Sequence, residues 1–330
     1  MTMKLSAAFA TSFDTPEHIR VAEQLGYANA WAYDSPTLYP DVWVALCSAA
    51  ERTSTIGLGP AVLVPSLRHP MVNAAAIANL ASLAPGRTNV AIGAGFTGRY
   101  TLGQRAVPWS KVREYVLVLR ALLRGEDAEW EGAVIRMLHP QGFAPARPID
   151  DVPILIAADG PKGMAVAAEL GDGIFSAARP AQGDGPTWRA VLAFGTVLAE
   201  GEQVTDDRVL DAAGHGLAVA YHAMYERGGA AAVDALPGGA TWRAAVEAVP
   251  DRERHLAVHE DHLVGLTDRD RAALADGGAA LLTALSFTGS AAELRDKAAA
   301  LEAAGATELA YQPAGPDIPG ELERMIGALG

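Results

Sequence analysis

The feature that most constrains this chain is a recurrent alternation: short apolar runs rich in β-branched or aromatic residues, each followed by an Ala- and Leu-rich segment of helical character. A strand that is apolar throughout needs cover on both faces, and strand-helix repetition supplies it by laying helices over a parallel sheet. Residues 5–10 read as the first strand, after which Thr15-Pro16 offers an N-cap and a first-turn proline to a helix ending at Gly26. Residues 28–33 form the second strand, which stops at Asp34-Ser35-Pro36. A helix over 42–52 leads to a third strand at 55–58, and a helix over Pro70–Leu83 leads to a fourth at 88–92. The spacing is about 30 residues per unit, the size of a βαβ repeat.

After Gly95 the pattern loosens into a loop at 96–107, a helix at 110–123 and a hairpin insertion at 130–138. It resumes with a strand at 153–157, a helix opened by Gly160-Pro161 and running to Leu170, and strands at 173–176 and 189–198. Residues 206–282 are Ala-rich and mostly helical, and are read as an insertion or lid. Ser290 with Glu293 then forms a capping box, the helix runs to Gly305, and 308–311 make a last strand before a terminal helix. Length divided by about 150 would allow two domains, but barrels run to ~250 residues or more as one. Seven or eight units without an early break in composition favour the α/β class and a TIM-like (β/α)8 barrel, with 1–330 as a single domain carrying the 206–282 insertion. Barrel enzymes place their sites at the carboxyl ends of strands. The ends concerned are Asp34-Ser35 and residues 60–65, 93–98, 157–162 and 177–180.

Charge and composition exclude other classes. With 26 Lys+Arg against 39 Asp+Glu and a net charge of -13, a phosphate-backbone partner has little electrostatic footing, so no nucleic acid is expected. No stretch reaches ~18 uninterrupted apolar residues, so no membrane span is expected, and the N-terminus reads as too short and too early interrupted by Asp14 for a signal peptide. The single Cys47, in VWVALCSAA, has no intramolecular partner and looks like core. These features point to a cytoplasmic location.

Several motifs carry possible chemistry. Gly93-Ala94-Gly95-Phe96-Thr97-Gly98 matches G-x-G-x-x-G after a strand, but the following RYTLGQRAVPW reads as loop and three units precede it, so a tight glycine loop admitting some cofactor fits better than a Rossmann fingerprint. Ala157-Ala158-Asp159-Gly160-Pro161-Lys162 ends a strand and opens a helix whose free amides suit an anion, with Lys162 nearby. The plainer reading is an ordinary turn with proline at the first helical position. His255, His259 and His262 have i, i+4, i+7 spacing that would set three imidazoles on one helical face. It is not H-E-x-x-H, and it is read as a polar interface or cavity-lining lid with no metal assigned. His215 and His222 lie on the same insertion. No G-x-S-x-G or Cys/His signature argues for a hydrolase.

The strand-end residues resemble a known family. GLGPAVLVPSLRHPMVNAAAIANLASLAPGRTNVAIGAG, residues 57–95, resembles the third and fourth βα units of the luciferase-like superfamily of flavin- and deazaflavin-dependent oxidoreductases. PILIAADGPKGMAVAAELGDGIFSA resembles its cofactor-phosphate unit and FTGSAAELRDKAAALEAAGATELAY its closing unit. The resemblance implies a barrel holding a flavin-type ring at its carboxyl end, against a non-prolyl cis peptide that maps to Ala61-Val62. The loop after the fourth strand maps to Gly93, Gly95 and Thr97, and the phosphate-holding loop to Ala157, Ala158, Gly160, Pro161 and Lys162. Asp34 matches the acidic residue that often ends the second strand. The family frequently has His next to it; here that place holds Ser35. Asp34 and Ser35 would border the ring, with Tyr33 and His69 as polar participants.

The A-A-x-G-P-K loop is most similar to the branch of deazaflavin (coenzyme F-420) enzymes typified by methylenetetrahydromethanopterin reductase. The first expectation is therefore hydride transfer between a deazaflavin and an unidentified small organic substrate beneath the insertion. The second is an FMN-dependent two-component monooxygenase using oxygen, with a flavin reductase as partner. A third, from another class, is a non-catalytic flavin-binding or assembly protein. A metalloenzyme centred on the three histidines is the fourth. The family also tends to form dimers, so a homodimer is expected.

Overall fold

Eight of the apolar segments close on one another as parallel strands, because in a barrel every strand finds partners on both edges and none is left exposed. The computed structural model describes residues 3–177 and 179–330; Ala178, within the 177–180 strand end, lies outside the described residues. The barrel strands are β1 (Lys4–Phe9), β2 (Asn29–Ala32), β3 (Gly57–Leu63), β4 (Val90–Gly93), β7 (Ile154–Ala157), β8 (Gly173–Ala177), β9 (Trp188–Phe194) and β10 (Glu308–Gln312). The hairpin β5 (Ala128–Trp130) and β6 (Ala133–Ile135) stands apart as an antiparallel pair. The order around the closed barrel is β1-β10-β9-β8-β7-β4-β3-β2. The TIM-like (β/α)8 expectation is borne out.

Helices α1 (Thr15–Leu25), α2 (Val42–Ala50), α3 (Pro70–Leu83), α4 (Thr97–Tyr100), α5 (Trp109–Arg124) and α6 (Pro161–Leu170) follow or join successive strands. Between β9 and the closing unit lie α7 (Asp207–Asp234), α8 (Gly239–Glu247), α9 (Arg254–Val258), α10 (Asp268–Ala275), a 3-10 turn (Gly278–Leu281) and α11 (Leu282–Leu285). Then come α12 (Ala291–Ala303) and, after β10, α13 (Ile318–Leu329). The α7–α11 stretch has an apolar cluster of its own, built on Leu217, Tyr221, Trp242, Val246 and Leu274. No helix among the described residues is long and apolar enough to cross a membrane.

Local differences from the sequence reading have local causes. The cap of α1 is Asp14 rather than Thr15, whose hydroxyl instead accepts from the Ser12 amide at 2.7 Å. Strand β3 runs to Leu63, past the expected residue 58, through a register shift between Ala61 and Leu63 where it pairs with β4. The hairpin begins at Ala128 instead of 130 and ends at Ile135. Strand β9 stops at Phe194 instead of 198, because Gly195 has φ 151 and packs so closely that a Cβ there would stand 2.2 Å from the Phe287 carbonyl oxygen.

Alternation along the strands points Glu308, Ala310 and Gln312 of β10 into the barrel. Trp31 fills the interior, edge-on to Phe175 at 5.4 Å between ring centroids, and Gly59 leaves it room: a Cβ there would lie 3.3 Å from the indole and 2.0 Å from the Asn89 carbonyl oxygen. Towards the amino ends of the strands, Glu308 is fully buried. Its carboxyl oxygens accept from Trp31 Nε1 at 2.7 Å, Trp188 Nε1 at 2.6 Å and Asn29 Nδ2 at 3.2 Å, so one side chain ties β10 to β2 and β9 across the barrel. Asn29 passes the link on by accepting from Asn89 Nδ2 at 3.1 Å.

Removing this buried acceptor strands its donors, and each donor left unsatisfied costs about 1–3 kcal/mol. Glu308→Leu is expected to lower the unfolding free energy from urea titration by at least one such cost with an unchanged slope, and Glu308→Gln by less. A second prediction concerns His215 on α7, which is buried against the Phe194 ring with both ring nitrogens unpartnered. Burial pushes its pKa from 6.5 down to about 4. The unfolded chain therefore binds a proton that the folded chain refuses between these values, so the stabilisation is complete above pH 6.5 and is lost as pH falls towards 4. At ~1.4 kcal/mol per unit this amounts to about 3 kcal/mol. His215→Leu should flatten the pH dependence of the unfolding free energy in that window.

Candidate active site

The carboxyl end of the barrel is lined by small residues on one side. Gly93 and Ala157 are register partners on β4 and β7, and a Cβ on Gly93 would meet Ala157 Cβ at 3.1 Å and Val62 Cγ2 at 3.3 Å. Ala61 belongs to the apolar cluster of the barrel interior, with Val62 and Ala157 packed against it. The Ala61-Val62 peptide is cis, as the resemblance implies. Together these residues form a wall free of long side chains on this side of the barrel mouth.

Asp34 and Ser35 follow β2 and are buried, and Gly98 lies against both, since a Cβ there would stand 3.4 Å from the Asp34 carbonyl oxygen and 3.7 Å from Ser35 Oγ. Asp34 pairs with the Arg68 guanidinium, which also reaches Asp41 Oδ2 at 2.7 Å. Burial raises the Asp34 pKa above the ordinary carboxylate value, with Arg68 acting the other way. The same pairing raises the Arg68 pKa against its own burial penalty. Both pKa values move up, which favours the charged form of Arg68 and the neutral form of Asp34; the ion pair itself supports a charged Arg68. Arg68 is the functional neighbour that the sequence reading missed. His69 is not brought to Asp34: it is exposed, caps α3 by accepting from the Met71 amide at 3.2 Å, and stands edge-on to Trp130 at 6.0 Å.

Thr97 opens α4, a single turn inside the stretch read as loop. Gly95 has φ 83, in the region that favours glycine, and a Cβ there would press on Val64 at 2.8 Å. At the β7 end, Ala158 is buried while Gly160, Pro161 and Lys162 are exposed. Gly160 caps α6 without a side-chain bond, and nothing lies within 4 Å of the position of its absent Cβ, so the amino end of this helix is open to an anion. Beside it Asp159 accepts from the Ala177 amide at 3.2 Å, and Arg179 and Arg227 act on its carboxylate. Arg227 comes from α7 and also sits over the Phe96 ring, 5.4 Å from its centroid.

The helical stretch contributes the remaining polar groups. A turn at His262 and Leu263 is held by barrel residues: Tyr39 Oη donates to the His262 carbonyl, Gln312 Nε2 donates to the Leu263 carbonyl at 2.5 Å, and Gln312 Oε1 accepts from Tyr33 Oη at 2.8 Å. His262 Nε2 bonds Thr97 Oγ1 at 2.8 Å, and its Nδ1 faces His222 Nδ1 at 2.8 Å. The three-histidine face expected at 255, 259 and 262 does not form. Helix α9 ends at Val258, so the 3.6-residue period stops there, and His255 packs beside Gly103. His222 from α7 takes the third place with His259 and His262. Burial holds the His222 and His262 rings far below the usual histidine pKa.

The chain is similar to known proteins. A family described as luciferase-like monooxygenase matches residues 10–308. The chain is 32% identical over 168 residues to 5,10-methylenetetrahydromethanopterin reductase of Archaeoglobus fulgidus, covering 49% of this chain and 48% of that protein. It is 31% identical over 176 residues to coenzyme F-420-dependent hydroxymycolic acid dehydrogenase of Mycobacterium tuberculosis, covering 49% and 48%. The chain thus spans about half the length of the curated relatives it matches. The solved structure of the F-420-dependent tetrahydromethanopterin reductase of Methanopyrus kandleri superposes with a TM-score of 0.66 at 18% identity over 99% of this chain and 98% of that one, a likeness of fold. With a family match across nearly the whole barrel, and with that barrel closed as the strand spacing requires, the chain belongs to the luciferase-like monooxygenase family.

Proposed function

We propose that this protein is an oxidoreductase that moves hydride between a bound deazaflavin, coenzyme F-420, and a small organic substrate. The observation that carries this reading is the wall of Ala61, Val62, Gly93 and Ala157 next to an uncapped helix start at Gly160: a planar ring fits the first and a phosphate the second. When bound, such a ring supplies the carbon that gives or takes hydride. The chain's own residues do the rest. The amides at the start of α6, with Lys162, hold the phosphate. Ala61 and Val62 support the ring, and Gly93, Gly95 and Thr97 shape its edge. Asp34, buried and braced by Arg68, exchanges a proton with the substrate heteroatom, while Ser35 borders it. The turn at His262 and Leu263 keeps bulk water from the barrel mouth. The F-420 dependence named for the Mycobacterium tuberculosis relative supports deazaflavin.

A second reading follows from the family's description as monooxygenases: reduced FMN, oxygen and a separate flavin reductase acting at the same wall and loop. The chemistry differs, since a deazaflavin transfers hydride only whereas reduced FMN also activates oxygen.

Calorimetric titration of the apoprotein with F-420 and FMN, oxidised and reduced, is expected to show preference for F-420 without substrate-dependent oxygen consumption. Preference for reduced FMN would move the assignment to the second reading, and binding of neither would sink both. Gly93→Val should weaken binding of the ring at least 100-fold, because its side chain occupies the space between Ala157 and Val62. Asp34→Asn should leave cofactor binding intact and lower kcat by about 10²-fold or more, the scale of general acid-base catalysis.

A further inference from the structure

The histidine cluster is not used by the function proposed above, and its geometry is unusual for three side chains that merely fill a core. His222, His259 and His262 are at most 3% exposed. One nitrogen from each lies within 4.8 Å of the others. Their ring centroids form a nearly equilateral triangle, 5.1 Å for His222 to His262, 5.5 Å for His222 to His259 and 5.4 Å for His259 to His262. Three imidazoles arranged tetrahedrally around an ion at about 2.1 Å from each nitrogen would have centroids about 5.3 Å apart.

The hydrogen bonding is incomplete where an ion would complete it. His222 Nδ1 and His262 Nδ1 face each other, so one ring must spend its only proton on the other. His259 is fully buried, and neither of its nitrogens has a hydrogen-bond partner. Leaving such a group unpaired is a cost that the fold would shed by burying an apolar residue instead. On His262 the outer position is furnished as a metal-binding histidine requires, with Nε2 held by the Thr97 hydroxyl at 2.8 Å. Glu226 Oε1 stands 3.5 Å from His259 Nε2, near the ring but not hydrogen-bonded to it. The backbone is also strained towards this arrangement: Asp261 and Leu263, on either side of His262, have φ 54 and 65. A left-handed leucine is costly, and such conformations gather at functional sites.

We propose that His222, His259 and His262 bind one divalent transition-metal ion of the zinc class. Imidazole is the ligand type that such ions favour, and three nitrogen donors leave a fourth position for water. The ion pins three otherwise separate pieces together: α7, the turn after α9 and, through His262 and Thr97, the loop after β4. It does so whether or not the cofactor assignment above is right.

The test uses the full chain, stripped with chelator and dialysed, then titrated with Zn2+ by calorimetry and with Co2+ by visible absorption. The expected result is one ion per chain, an intense tetrahedral Co2+ spectrum displaced by Zn2+, and at least 100-fold weaker binding in His259→Gln and His262→Gln. His139→Gln, at an exposed site on a different loop, should bind as the wild type does. Absence of stoichiometric binding, a weak octahedral Co2+ spectrum in the wild type, or unchanged affinity in His259→Gln would each overturn the proposal. The Co2+ spectrum is read on the wild type, so the test survives a variant that fails to fold. Deazaflavin titration of the same samples separates failure here from failure of the cofactor reading.

Discussion

Closing eight parallel strands on themselves creates an interior that must be filled without a gap, and here the filling is organised by one buried carboxyl group. Glu308 enters from β10 and takes hydrogen bonds from two indoles and an amide contributed by β2 and β9. A carboxyl group in this position is tolerable only because its oxygens find donors, and those donors are tolerable only because it is there. Trp31 can occupy the middle of the barrel because Gly59 has no side chain. The amino half of the barrel is therefore dense and cross-linked, which lets the carboxyl half be sparse.

That sparseness is what makes a site. Gly93, Ala157 and Ala61 decline to fill the upper interior, and the adjacent strand ends bring charge to its edge through Asp34, Arg68 and the open start of α6. The α7–α11 stretch has a core of its own, and it sits on the barrel through polar contacts together with Leu263 and ring contacts to Phe96 and Phe194. The polar contacts converge on a single turn, where Tyr39, Gln312 and Thr97 each bind His262 or Leu263.

Much of this was legible beforehand because it depends on short-range rules. Apolar runs of the right length marked the strands, Pro16 and Pro70 marked helix starts, and Ser290 with Glu293 marked a capping box that forms as read. Strand boundaries were less legible where a bulge at Ala61–Leu63 or a positive φ at Gly195 set the end, since both depend on what the neighbouring strand or loop does. The histidines show the limit most clearly. Their spacing at 255, 259 and 262 fits a helix, but the helix stops at Val258, and the companion of His259 and His262 is His222, distant in sequence. Arg68 was passed over beside His69 for the same reason: only the folded chain shows which of two adjacent side chains reaches Asp34.

By itself the sequence determined the barrel, the order of its units and which strand-end loops carry glycine, because local hydrophobic periodicity and turn chemistry are sufficient to specify these, and its strand-end motifs carried the resemblance to the family. Tertiary structure alone decided which polar residues meet: Glu308 with Trp31 and Trp188, Asp34 with Arg68, and His222 with His259 and His262. Such pairings are set by barrel closure and by the seating of α7 on the strand ends, contacts between residues far apart in the chain that no local periodicity encodes.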